Sequence, residues 1–200
     1  MLSVILGGFI SVALIGRFGS QHIAGYSIGL RLEQLLLLPA LGMNSAVMAI
    51  AGQNFGAGNA ERVRQTYSES LKIGLAMAAI SIPVMVFLSP QMMTLFTDSS
   101  TIVATGTAYL RIDAVAFYAY VVLFLTTATL QAIKQPLFPM VLGLARHLLV
   151  PVSINVLLIV YFDFPMLSVF YTLIGVVLVS AISAHLFTSW RLKKLIESAA

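Results

Sequence analysis

No cysteine occurs in the 200 residues. Disulfides and thiolate metal centres are therefore excluded, and no redox compartment can be read from the chain. Charge is almost as scarce. Asp, Glu, Lys and Arg make up 9% of the sequence, where a soluble globular domain carries about 25%. His147 and His185 stand alone, with no second histidine four residues away, so no metal site is expected. No charged segment precedes the first apolar run, so no signal peptide is read. A chain that opens inside an apolar run implies further residues upstream. The net charge of +4 comes from basic residues at the ends of apolar runs, which are topology signals rather than a nucleic-acid patch.

What fills the chain instead is hydrocarbon. Sixty per cent of the residues are hydrophobic, and the mean hydropathy is +0.99. A soluble domain of this size leaves too much surface exposed to hide that much apolar area. The lipid bilayer is the expected partner. Long uncharged stretches recur near the ~20 residues needed to cross about 30 Å of hydrocarbon. They predict an all-α, polytopic membrane helix bundle of about six transmembrane helices, forming a single six-helix lobe over residues 1–200. The helices are expected at about 1–18, 23–54, 66–96, 103–133, 136–162 and 164–190. A membrane barrel would show segments of about ten residues alternating in polarity, and these runs do not. Asn59 reads as a helix N-cap. Pro39, Pro83 and Pro151 fall inside spans, where neighbours must satisfy the freed carbonyls.

Lysine and arginine set the orientation. Arg62, Arg64, Lys72, Lys134, Arg191, Lys193 and Lys194 fall on one side of the bundle, with Arg17 and Arg111 towards the other. Both termini are accordingly placed in the cytoplasm, with Trp190 as an interfacial anchor.

Polar residues inside a membrane are the informative ones, because each costs free energy. On the second helix, Tyr26, Glu33 and Asn44 share one stripe at 3.6 residues per turn. Glu33 at mid-depth reads as a proton or cation site, or as half of a structural ion pair with Arg31 or Arg146. On the fourth helix, Asp113, Tyr120, Thr127 and Gln131 are spaced to share a face, with Tyr109 one turn earlier. They read as the polar wall of a water-filled path, or as buried hydrogen-bonding residues around an Asp113 at the headgroup level. Arg146, ten residues into the fifth helix, must snorkel or pair. Gly25-Tyr26-Ser27-Ile28-Gly29 matches the G-x-S-x-G of serine hydrolases, but that motif needs a strand–turn–helix elbow. The same residues read as G-x-x-x-G, a close-packing surface between membrane helices. An intramembrane serine protease is a distant alternative, because Ala184-His185-Leu186-Phe187-Thr188 lacks the glycine-rich pattern such enzymes carry after their histidine. No enzyme activity is expected.

The most specific segment runs from Gly16 to Arg64. It contains Gly16-Arg17-Phe18-Gly19, Ile23-Ala24-Gly25-Tyr26 and Gly29-Leu30-Arg31-Leu32-Glu33. Pro39, Gly42 and Gly52-Gln53-Asn54-Phe55-Gly56-Ala57-Gly58-Asn59 follow, then Arg62. This segment resembles the multidrug and toxin extrusion (MATE) transporters, in particular the carboxy-terminal lobe of the bacterial, DNA-damage-inducible-like branch. Gly52, Gln53, Asn54, Gly56 and Gly58 resemble that family's cytoplasmic loop motif. The resemblance implies a secondary active antiporter of the bacterial inner membrane. It would export cationic or amphipathic organic compounds in exchange for Na⁺ or H⁺, without a cofactor. It also implies a partner amino-terminal lobe, with substrate held between lobes that rock. A related flippase for lipid-linked oligosaccharides shares the superfamily but favours a more basic cavity than Arg31 and Arg146 supply. Some sodium-coupled members carry an acidic residue in the first helix of this lobe, and Met1–Gly16 has none. Their fourth-helix aspartate falls near Tyr120, two turns after Asp113. These departures leave the coupling carboxylate open between the two lobes.

One expectation follows from composition alone. The expressed chain should sediment with membranes and be released only by detergent, and a folded monomer in the soluble fraction would contradict it.

Overall fold

The computed structural model describes residues 2–198; Met1, read into the first helix, lies outside them. Eight helices and no strand occur among the described residues. They are α1 (Leu2–Gly16), α2 (Ser20–Gly56), α3 (Ala60–Phe87), α4 (Ser89–Thr94), α5 (Ser100–Asp113), α6 (Phe117–Ala132), α7 (Leu137–Tyr161) and α8 (Leu167–Glu197). Helices α2, α3, α7 and α8 are long and apolar enough to cross a membrane. The pair α5 and α6 makes a fifth crossing if its 57° bend lies within one span. Helix α1 has 15 residues, roughly 22 Å at 1.5 Å per residue, which is short of a full span. Four or five helices thus meet the length of a full span among the described residues, and α1 is the sixth, shorter apolar segment.

Several boundaries differ from those expected. The third helix begins at Ala60 rather than 66, because its first turns are charged and carry no hydropathy signal. Asn59 caps it, accepting the Arg62 N–H at 3.1 Å. It ends at Phe87 rather than 96. Pro90, which has no N–H to donate, opens the separate short helix α4 instead. The expected 103–133 helix starts at Ser100 and breaks at Ala114–Ala116, where the chain turns into α6. The last helix runs from Leu167 to Glu197, past 190, because its final basic turns are solvated rather than apolar. Helix α7 contains π-helical turns at Ala145–Leu149 and Leu157–Tyr161.

The burial pattern is that of a protein in lipid. Helix α6 is apolar on all sides and buried on most of them, as expected for a central helix. It packs against α2, α3 and α8, while α2 also packs along α5. The outer faces carry large exposed side chains, including Phe9, Ile80, Phe87 and Leu95. The basic end is marked by Trp190, with the Lys194 Nζ 4.4 Å from its ring centre.

Glycines on α1 and α2 permit close approaches between helices. On α2, a Cβ at Gly25 would stand 2.7 Å from both the Ile102 carbonyl oxygen and the Thr105 Cβ of α5. At Gly29 it would stand 2.8 Å from the Tyr109 ring. The G-x-S-x-G sequence is thus helical and packs against a neighbouring helix. On α1, a Cβ at Gly7 would stand 1.7 Å from the His147 carbonyl oxygen of α7. That carbonyl lies four residues before Pro151, which cannot donate to it, and the close approach lets the backbone of α1 face it.

Replacing Gly25 with Ala should lower stability by about 1–3 kcal/mol through overpacking. Gly42→Ala on the same helix meets nothing within 4 Å and should leave stability unchanged or raised by up to about 1 kcal/mol. Thermal unfolding in detergent distinguishes the two.

Candidate functional site

The contact of α2 with α5 buries a carboxyl. Glu33 is 4% exposed and Tyr26, one stripe position earlier, is 6% exposed. The Tyr109 hydroxyl of α5 donates to Glu33 Oε2. This contact is possible because Gly29 lets the Tyr109 ring lie against the α2 backbone. Tyr26 meets Tyr109 edge-to-face at 5.0 Å between centroids, and Phe170 of α8 covers both, at 5.8 Å and 5.2 Å. The helices therefore place Glu33 beside a cluster of three aromatic rings, bonded to the central one.

Asp113, the last residue of α5, is 2% exposed. The Tyr120 hydroxyl of α6 donates to its Oδ1 at 3.2 Å, and its Oδ2 has no partner among the described residues. The bend at Ala114–Ala116 corrects the expectation of one continuous face. Tyr109 and Asp113 lie on one helix, and Tyr120, Thr127 and Gln131 lie on the next, with the Asp113–Tyr120 bond crossing the break. The two carboxyls lie within electrostatic reach of each other and of Tyr26, Tyr109 and Tyr120. Neither forms an ion pair among the described residues, where the pairs present are exposed and lie within single helices.

The other candidates are placed as follows. Arg31 is exposed and lines a groove with Leu35, Leu38 and Phe96, turned away from Glu33. Asn44 is half-buried and donates to the Phe124 carbonyl of α6 at 3.0 Å. Thr127 and Gln131 face the start of α7, beside Pro136 and Met140. Arg146 contacts His147 Nε2 at 2.8 Å, and its Nε and Nη1 have no partner among the described residues. Its charge reaches Tyr120. The Gly52–Gly58 segment closes α2. Gly52, Gln53, Asn54 and Gly56 are its last turns, and Gly58 turns left-handed at φ 73°. The Asn59 N–H bonds to the Asn54 carbonyl and the Gly58 N–H to the Phe55 carbonyl, a Schellman stop. Gly58 is therefore a conformational requirement of the loop.

Three features went unread in the sequence. Phe170 has no polar signal. Asn155 on α7 is 1% exposed with both amide atoms unpartnered among the described residues, and its mid-span amide was a usable signal. The Tyr67 hydroxyl lies between Thr126 Oγ1 at 3.1 Å and His185 Nδ1 at 2.9 Å, joining α3, α6 and α8. Only the tertiary fold reveals that link.

A polytopic helix bundle with an acidic and phenolic cluster at its centre has the layout of a membrane transporter. The comparisons with known proteins agree. The MatE family model matches residues 1–157, and the chain belongs to this family of transporters, which are not enzymes. A FAD transporter from Shewanella oneidensis is 24% identical over 144 residues, which cover 72% of this chain and 32% of that protein. A probable multidrug resistance protein, YpnP of Bacillus subtilis, is 35% identical over 63 residues, covering 31% and 14%. A crystal structure of MATE in the bent conformation superposes with a TM-score of 0.91 at 22% identity, covering 99% of this chain and 44% of that one. A MOP superfamily transporter from Pyrococcus furiosus superposes with a TM-score of 0.89 at 23% identity, covering 97% and 44%. The structural likeness is one of fold. The chain spans less than half the length of these relatives and structures.

Tyr109→Phe removes the donor to a buried carboxyl and should destabilise the bundle by about 1–3 kcal/mol. A double-mutant cycle with Glu33→Gln should show a coupling of at least about 0.5 kcal/mol. Additive losses in thermal unfolding would mean that the bond contributes nothing.

Proposed function

We propose that this chain is the carboxy-terminal six-helix lobe of a secondary active efflux transporter, which exchanges small organic cations or amphipaths for Na⁺ or H⁺. The observation that carries the reading is the pair Glu33 and Asp113, both buried and, among the described residues, without a cationic side chain as partner. An ionised carboxyl sunk in an apolar interior costs several kcal/mol unless compensated. Such a group needs a proton or a small cation beside it, and that requirement can couple an ion gradient to a rearrangement of the helices. Tyr109 and Tyr120 supply hydroxyls that can donate to a carboxylate or accept from a protonated one. The break between α5 and α6 lies beside Asp113, where a change in its charge acts on a bend rather than on a continuous helix. Glu33 and Asp113 are the proposed ion-responsive residues, with Tyr26, Asn44, Thr127 and Gln131 as polar lining. The relatives that are probable multidrug resistance proteins support the efflux reading. The bacterial inner membrane, with both termini cytoplasmic, is the proposed setting, on the strength of the basic loops.

A second reading rests on Arg146. Two guanidinium nitrogens inside the bundle, unpartnered among the described residues, suit an anionic group, and the FAD transporter from Shewanella oneidensis is a relative over most of this chain. In that reading the cargo is an anionic amphipath, and Arg146→Gln would abolish its export while sparing organic cations.

In the full-length transporter, Glu33→Gln and Asp113→Asn should each abolish ion-gradient-driven efflux of a cationic dye from vesicles while leaving expression intact. Normal efflux in both variants would remove the pair from the mechanism. The 200-residue chain alone forms one side of a cleft, and in liposomes it should not transport.

A further inference from the structure

A groove between α3 and α8 lies apart from the acidic cluster and shares no lining residue with it. Its outer part is a cavity of about 570 Å³ with Glu61 and Arg64 of α3 on one wall and Lys193 and Glu197 of α8 on the other. Leu71 and His185 line both this cavity and a second one of about 370 Å³. The second cavity is walled by apolar side chains, among them Val122, Leu178, Ile182 and Leu186. The two therefore form one trough, charged at one end and apolar along the rest. From Leu178 to Glu197 it follows roughly 29 Å of helix, more than the roughly 20 Å depth of one leaflet. The charged end lies beside Trp190, whose ring carries Arg191 and Lys194 at the basic end of the bundle, the level of lipid headgroups. The apolar end lies beside the outward-facing Val179, Ile182 and Leu186.

We propose that this trough binds one phospholipid of the adjoining leaflet, a phosphatidylethanolamine, with an acyl chain along α8 and its headgroup between Glu61, Arg64, Lys193 and Glu197. The charge pattern selects the headgroup. Each helix offers one cation and one carboxylate, so the cavity is balanced and not basic. A phosphate suits Arg64 and Lys193. A primary ammonium, with three N–H donors, suits Glu61 and Glu197. An anionic glycerol headgroup would leave both carboxylates unmatched against it, and like charges repel. The existing Glu61–Arg64 and Lys193–Glu197 pairs are exposed, at 2.6 Å and 3.9 Å, and such pairs contribute little by themselves. They can open to a ligand at small cost. His185, stacked on Tyr67 and bonded to it, forms the floor where the charged and apolar parts meet.

Native mass spectrometry of the full chain in mild detergent, titrated with phosphatidylethanolamine or phosphatidylglycerol, tests this. One phosphatidylethanolamine should be retained per chain, about tenfold more tightly than phosphatidylglycerol. The double variant Arg64→Ala/Lys193→Ala should lose the headgroup contacts and Ile182→Trp should fill the apolar trough. Each should cut retention by about tenfold, with helical content and thermal unfolding unchanged because all three side chains are exposed. Equal retention of the two lipids, no retained lipid, or retention unaltered in the well-folded variants would overturn the proposal.

Discussion

A buried carboxyl group held by a phenol, itself packed among aromatic rings, is the constraint around which this bundle is organised. Glu33 is buried, and the hydrogen bond from Tyr109 spans the junction of α2 and α5. For that bond to form, the two backbones must approach closely, which is why Gly25, Gly29 and Gly106 lie at the crossing. The aromatic cover of Phe170 then fixes where α8 must pass. The polar group that makes the site interesting is thus also a structural specification, since a buried polar contact tolerates few alternative packings.

The break between α5 and α6 extends this logic. A straight helix would carry Tyr109, Asp113 and Tyr120 along one line. The bend keeps Asp113 buried while bringing Tyr120 from a differently directed helix to its carboxyl. Two carboxyls, each with its own phenol, therefore share one interior region. Among the described residues, ion pairing is confined to the exposed surface.

Much of this was legible in the sequence. Hydropathy and the 3.6-residue period identified the helical class and placed Tyr26 and Glu33 on one stripe, and both are buried. The cap at Asn59 was readable from its residue type. The bend was not, because Ala114, Val115 and Ala116 contain neither proline nor glycine. The start of α3 at Ala60 was legible in that cap but not in hydropathy, because Glu61, Arg62 and Arg64 lower hydropathy without opposing helix formation. Arg31 sits two residues from Glu33, and at 100° per residue that spacing points it elsewhere. The trough between α3 and α8 depends on residues more than 100 positions apart, and no local pattern encodes that.

The nesting of Gly7 against the His147 carbonyl has a consequence for biogenesis. The two positions are separated by about 140 residues, so at 5–20 residues per second a ribosome needs on the order of ten seconds to deliver the second after the first. Throughout that interval α1 lacks the carbonyl that Gly7 receives, and its inward face of Gly7, Ser11 and Leu14 must be sheltered by lipid, by α2 or by the insertion machinery. The packing of α1 on α7 is thus a late, long-range contact that waits for the segment around Pro151.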